Sequence, residues 1–141
     1  MDYFYVEKKI FMTKKISING INISDKESLY QEINRVFMAK EDWKIGESLD
    51  ALNDLFYGSF GLIKGNEPVE LIWKNFNHNK ELFGYDFTME FYQQKLKQPK
   101  VFSTKIIQQN ISALENGTGL TYFEMILEII AEHKNITLIT E

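Results

Sequence analysis

Polar and apolar positions along the chain fall into short blocks whose period changes from two to about 3.6. Residues 14 to 20, "KKISING", alternate and are rich in β-branched side chains, and they stop at Asn19-Gly20. This predicts a strand followed by a turn. In "SDKESLYQEINRVF", Ser24 and Glu27 have the spacing of a capping box, and Leu29, Ile33, Val36 and Phe37 recur on one helical face. Residues 38 to 47, "MAKEDWKIGE", break the period and predict a loop. Ser48 stands where a side chain can accept a bond from a free backbone N–H of a second helix. That helix has Leu49, Leu52, Leu55 and Phe56 as its buried stripe and Gly58 as its stop. "VELIW", 69 to 73, reads as a strand, and Asn75 is placed to cap a brief third helix ending near Leu82.

"LTYFEMILEIIAEHK" carries the strongest helical period, with Phe123, Ile126, Leu127, Ile130 and Ala131 on its apolar side. "NITLITE" follows as a β-branched strand. Strands separated by helices predict parallel pairing, so the expected class is α/β: a three-stranded parallel sheet packed with about four helices. The segment from Gly84 to Gly119 does not follow this order. "YDFTMEFYQQKLKQ" suits a helix or an alternating strand, while "STKIIQQNISALENG" looks helical with Ser103 in capping position.

The chain has 141 residues, 14% of them aromatic, with two prolines, which suits one domain with a real core. Its net charge of −4 disfavours direct nucleic-acid binding through phosphate neutralisation and suits a cationic partner. The absence of cysteine rules out disulfide staples and thiolate nucleophiles. No apolar run approaches the roughly 20 residues that span a bilayer. "MDYFYVEKKIFMTKK" lacks the cationic start and continuous apolar stretch of a secretory signal, so a cytoplasmic protein with no membrane role is expected. Met12 could serve as an alternative start.

Little in the chain suggests catalysis. His78 and His133 lie in polar contexts away from any triad pattern and read as solvated. "YGSFG" and "GTG" lack the spacing of a phosphate cradle, and no cofactor is expected. The feature that asks for an explanation is the pair Asp50 and Asp54, four residues apart on one short helix just after Glu47. Like charges at this spacing repel. Asp50 gains from the helix N-terminus, whereas Asp54 gains less. The pair could be a solvated helix face, or, with Glu128, could hold a metal in a small enzyme, though further ligands are not evident nearby. Glu124, Glu128 and Glu132 form a second acidic stripe on the late helix. Two acidic faces on one scaffold could converge into a negative surface suited to a cationic protein cleft.

"ISING", "GESLDALNDLFYG", "ELIWKNF" with "NKEL", and "ITLITE" run in an order that resembles the barstar family of intracellular ribonuclease inhibitors. The likeness centres on Gly46, Glu47, Leu49, Asp50, Ala51, Leu52 and Asp54, with Trp73, Phe76, Lys80 and Leu82 in support. It covers roughly residues 15 to 82 and 120 to 141, within one domain of 1 to 141. Residues 1 to 13 stand as an N-terminal extension and 84 to 119 as an insertion relative to the family core. The resemblance implies a non-catalytic inhibitor whose loop and helix plug the active site of a secreted or toxin ribonuclease, as a toxin's immunity protein does. It implies that Asp54 takes the place of a substrate phosphate, that Asp50 supports it, and that Glu128 supplies the contact from the last helix. Trp43, Lys44, Gly46, Ser48 and Asn53 would form the surrounding surface. The family's best-known member has a tryptophan where this chain has Asn53, and paired aromatics where it has Lys44 and Ile45. Trp43 stands one position earlier as a substitute anchor. These departures leave open a binding or regulatory module for a non-nuclease partner.

Overall fold

The computed structural model describes residues 3–6 and 9–141, with side chains from residue 13 onward. The chain divides into two compact units, Met1–Phe76 with Glu128–Glu141, and Asn77–Leu127.

The first unit is built on a three-stranded parallel sheet of β3 (Lys14–Asn19), β4 (Val69–Lys74) and β5 (Ile136–Thr140), in the order β3-β4-β5. The α/β class and the parallel sheet agree with the sequence pattern. Ile18 pairs with Trp73 and Val69 with Ile136, so the inward positions of all three strands fall in register. Ile16, Ile18, Leu71 and Trp73 are almost wholly buried, as expected for a central parallel strand and its neighbours. Two further strands, β1 (Tyr3–Val6) and β2 (Lys9–Met12), pair antiparallel in a separate sheet within the N-terminal extension. The alternation there is too interrupted by charge to predict them. Residues 1, 2, 7 and 8 of that extension lie outside the described residues.

Helix α1 (Lys26–Phe37) buries Leu29, Ile33 and Phe37, while Val36 is only half-buried. Its capping box is shifted one residue from the Ser24–Glu27 expectation. Asp25 accepts from the Ser28 N–H at 2.8 Å, and the Ser28 hydroxyl accepts from the Asp25 N–H at 3.0 Å. An ionised carboxylate is the stronger acceptor, and it outcompetes the neighbouring hydroxyl for the cap. The Ser28 hydroxyl also donates to the Asp25 carboxylate at 2.7 Å, and this bond, with that from the Ser28 N–H, holds the carboxyl below its usual range.

Asn75, expected as a cap, turns the corner between β4 and α3 (Phe76–Leu82) with φ +58°. Asparagine tolerates this left-handed conformation better than most residues. The corner is closed by Glu141, whose N–H donates to the Trp73 carbonyl and whose carbonyl accepts from the Phe76 N–H, both at 3.0 Å.

Helix α2 (Leu49–Phe56) ends near Gly58, which has φ +81°. A Cβ there would land on the carbonyl oxygen of Gly65 and stand 2.5 Å from its amide nitrogen. The Gly65 N–H in turn donates to the Gly58 carbonyl at 2.9 Å, closing the loop that leads to β4. Gly58→Ala is therefore expected to cost about 2 kcal/mol, the sum of a left-handed backbone penalty and a displaced loop. Urea unfolding of the variant against the parent measures this.

The second unit is helical. Tyr85–Leu96, ambiguous in sequence, is a helix (α4), followed by α5 (Thr104–Glu115), where the Ser103 side chain accepts from the Ile106 N–H as expected. Tyr92, Ile107 and Leu114 form its core, with Phe91, Phe102 and Met125 packed against it. The aromatic positions decide α4: Phe87 and Phe91, one turn apart, stack at 6.4 Å and both meet the Tyr122 ring, a contact only the helical period allows. These two elements bring the helices to six among the described residues, two more than the pattern predicts.

Helix α6 (Tyr122–Glu132) begins in the second unit and ends in the first. Tyr122, Phe123, Ile126 and Ile130 are buried, whereas Ala131, expected inside, is exposed. No helix among the described residues is long and apolar enough to cross a membrane.

Candidate functional site

Helix α2 spans eight residues, short enough to depend on its surroundings for stability. Ser48 caps it, its hydroxyl accepting from the Ala51 N–H at 3.1 Å. Leu52, Leu55 and Phe56 are buried, and Phe56 meets Phe37 of α1 edge-on at 5.8 Å. This packing turns Asp50 and Asp54 outward. Both are exposed, and neither carboxylate has an ion pair or hydrogen bond among the described residues. The lysines and glutamates that do pair lie elsewhere, at Lys14–Glu67 and Lys15–Glu70.

The loop before α2 is held in place by a residue the sequence pattern did not single out. The Asn34 side chain accepts from the Ile45 N–H at 2.8 Å and donates to the Ile45 carbonyl at 3.3 Å. With Ile45 buried and gripped on both backbone groups, Lys44 and Gly46 on either side are exposed. A Cβ on Gly46 would meet nothing within 4 Å, so packing does not demand a glycine there. Trp43 is 45% exposed and rests on Phe60 with ring centroids 4.8 Å apart. Trp43, Glu27, Glu41, Asp42 and Glu47 are among the walls of a groove of about 640 Å³ between α1 and this loop. The Arg35 guanidinium on the same groove is engaged by Glu32 at 2.7 and 2.8 Å.

Of the acidic stripe on α6, Glu124 is committed to the chain itself. It accepts from the Thr121 N–H at 2.9 Å, and its own N–H donates to the Thr121 hydroxyl at 3.2 Å, forming a cap. Glu128 and Glu132 are exposed and have no such partner among the described residues.

His133 corrects the expectation of two solvated histidines. His78 is exposed, but His133 is 8% exposed, with Nε2 2.8 Å from Asn53 Oδ1. Tyr57 and Phe56 meet its ring edge-on at 4.7 and 5.9 Å. Asn53, expected on the contact surface, thus has its side-chain oxygen turned to an internal partner. Tyr57, 61% exposed, adds an aromatic beside Asp54 that the sequence reading did not select. A polar residue on the margin of an apolar stripe was the available signal for Asn53 and Asn34.

No group of three His, Asp or Glu among the described residues is arranged to hold a metal ion. The arrangement offers an exposed set of carboxylates with aromatic neighbours. No protein-family model matches the chain, and no curated protein matches it.

Proposed function

We propose that this chain is a barstar-like inhibitor that binds and occludes the active site of a basic ribonuclease, acting in the cytoplasm as the immunity protein of a toxin does. The observation that carries this reading is the state of Asp50 and Asp54, two exposed carboxylates on a capped helix with no cation attached among the described residues. Mutual repulsion is tolerated where a partner supplies the counter-charges, and arginine can grip a carboxylate through two parallel bonds. Asp54 is then the central contact, Asp50 and Glu128 supporting acids, and Trp43 and Tyr57 the aromatic flanks. Occlusion needs no chemistry from this chain. The direct test is inhibition of RNA cleavage by barnase and a panel of other cationic ribonucleases. Stoichiometric inhibition of at least one supports the reading, and none inhibited by a molar excess overturns it.

Charge steering adds a kinetic expectation. The association rate with such an enzyme should fall roughly tenfold or more as salt rises from about 50 mM to 500 mM, with dissociation much less affected. Stopped-flow measurements check this, and a salt-independent rate removes steering from the account.

A second reading is favoured by two specific positions. Asn53 is engaged by His133, and Lys44 places an exposed cation on the rim of an otherwise acidic surface. Both suit a non-nuclease partner carrying an acidic group among its basic ones. A co-purifying protein without ribonuclease activity would decide for it.

A further inference from the structure

We propose that Asn53 and His133 form a latch that sets the rotation of α2 and thereby the outward pose of Asp50, Asp54 and Tyr57. The value of that pose for a partner rests on the inhibitor reading; the latch itself does not.

The argument begins with helical geometry. At about 100° per residue, Tyr57, Asp50 and Asp54 lie about 40°, 60° and 100° to one side of Asn53. Leu49, Phe56, Leu52 and Leu55 lie about 40°, 60°, 100° and 160° to the other. Asn53 therefore sits on the seam between the exposed acidic face and the buried stripe. The apolar stripe covers a wide arc, and apolar burial is non-directional, so an eight-residue helix could roll without losing much of it. A hydrogen bond weakens steeply when its angle departs from linear, so it resists that roll.

His133 is suited to be the fixed end. It lies at the corner between α6 and β5, its backbone N–H donating to the Ile130 carbonyl at 3.1 Å and its carbonyl accepting from the Ile136 N–H at 2.9 Å. Asn53 and Phe56, one turn apart on α2, and Tyr57 at its C-terminal cap converge on its ring. Asn53 Oδ1 accepts from Nε2–H at 2.8 Å, and Phe56 and Tyr57 present their rings edge-on. A carbonyl oxygen only accepts, so Nε2 carries the proton. The geometry also gives the half-buried Asn53 side chain an internal partner for its oxygen. Asn53 and His133 are positioning residues, since they act on a partner through their neighbours.

The test uses the free, full-length chain and needs no partner. In the parent, a multiple-bond proton–nitrogen spectrum of His133 should show the Nε2–H tautomer; the Nδ1–H form with no coupling from Asn53 Nδ2–H to Nε2 would overturn the latch, and this measurement does not depend on any variant folding. Residual dipolar couplings over residues 49 to 57 should change in Asn53→Leu while those of β3, β4 and β5 stay fixed. Amide exchange over residues 52 to 56 should quicken at least about tenfold. Asn53→Asp, which keeps an acceptor oxygen, should restore both. Unchanged α2 couplings and exchange in Asn53→Leu, or loss in Asn53→Asp as complete as in Asn53→Leu, would overturn the proposal. A latch that passes while no cationic ribonuclease is inhibited would count against the inhibitor reading alone.

Discussion

Asp54→Ala is expected to weaken the complex with a cationic ribonuclease by at least about 2 kcal/mol, roughly thirtyfold in Kd, while leaving the fold intact. The two halves of this expectation come from the same observation. Asp54 is exposed and makes no side-chain bond within the described chain, so its removal takes nothing from the native packing. Surface changes of this kind alter stability by no more than about 0.5 kcal/mol, and relief of repulsion from Asp50 favours the variant by a few tenths. In a complex, the same truncation leaves desolvated cations of the partner without their counter-charge, which is where hot-spot losses come from. Asp50→Ala, at a supporting acid, should cost less in binding but a few tenths of a kcal/mol more in stability, because Asp50 also serves the first turn of α2. Titration calorimetry with the inhibited enzyme, paired with urea unfolding of the free variant, measures both quantities. An unchanged Kd would remove Asp54 from the centre of the surface, and a destabilised free chain would show that its role is internal.

Glu32→Ala is expected to lower stability by about 3 kcal/mol, a drop in Tm of roughly 10 °C. Glu32 is 3% exposed and joins α1 to the end of β3. It accepts from the Asn19 N–H at 2.9 Å, from the Asn22 side chain at 3.1 Å and from Arg35 at 2.7 and 2.8 Å. Hydrogen bonds to a charged group are worth roughly 1.5–3 kcal/mol each, and the donors at Asn19 and Asn22 lose their acceptor when it goes. Arg35→Ala should cost about 1 kcal/mol or less, because the Arg35 side chain is 61% exposed and a solvated ion-pair partner contributes little, while Asn19 and Asn22 still serve the carboxylate. Burial alone would push the Glu32 carboxyl up, but the bonds from Arg35, Asn19 and Asn22 outweigh it and hold the group below its ordinary value of 4.5. The unfolded chain therefore binds the proton first on acidification. The stabilisation is complete above about pH 4.5 and is lost as pH falls through the lower, folded value. Glu32→Gln should flatten this acid limb, which denaturation curves recorded at several pH values will reveal.

The sheet was legible because its strands are β-branched runs of the right length, and α1, α2 and α6 because their apolar stripes keep a strict period. Ser48 and Ser103 showed in sequence because a cap is a local device. Glu32, Asn34 and His133 did not, since each is a polar side chain whose partner is fixed by tertiary structure: Glu32 reaches Asn19, Asn34 grips Ile45, and His133 meets Asn53 from across 80 positions. A helical period places such residues on a face and is silent about what waits there. The α4 segment failed for the opposite reason. Its aromatics satisfy both periods over a short window, and only packing against Tyr122 separates them. Asp50 and Asp54 are exposed because Leu52, Leu55 and Phe56 turn the opposite face of α2 inward. The family resemblance, carried by "LDALND" and the order of the strands, supplies their purpose as a proposal.

The register of the parallel sheet carries a consequence for synthesis. Val69 pairs with Ile136, far along the chain, so β4 gains its second neighbour only after residues 136–140 have left the ribosome. The helical hairpin of α4 and α5 closes over a short span and has no such wait. Non-local strand pairing is slow because a long loop must lose its freedom before the pairing rewards it. A nascent chain thus carries Ile16, Ile18 and, once it is made, Trp73 without the third strand beside them until residues 136–140 have followed, which is the interval in which a chaperone would have the most to hold.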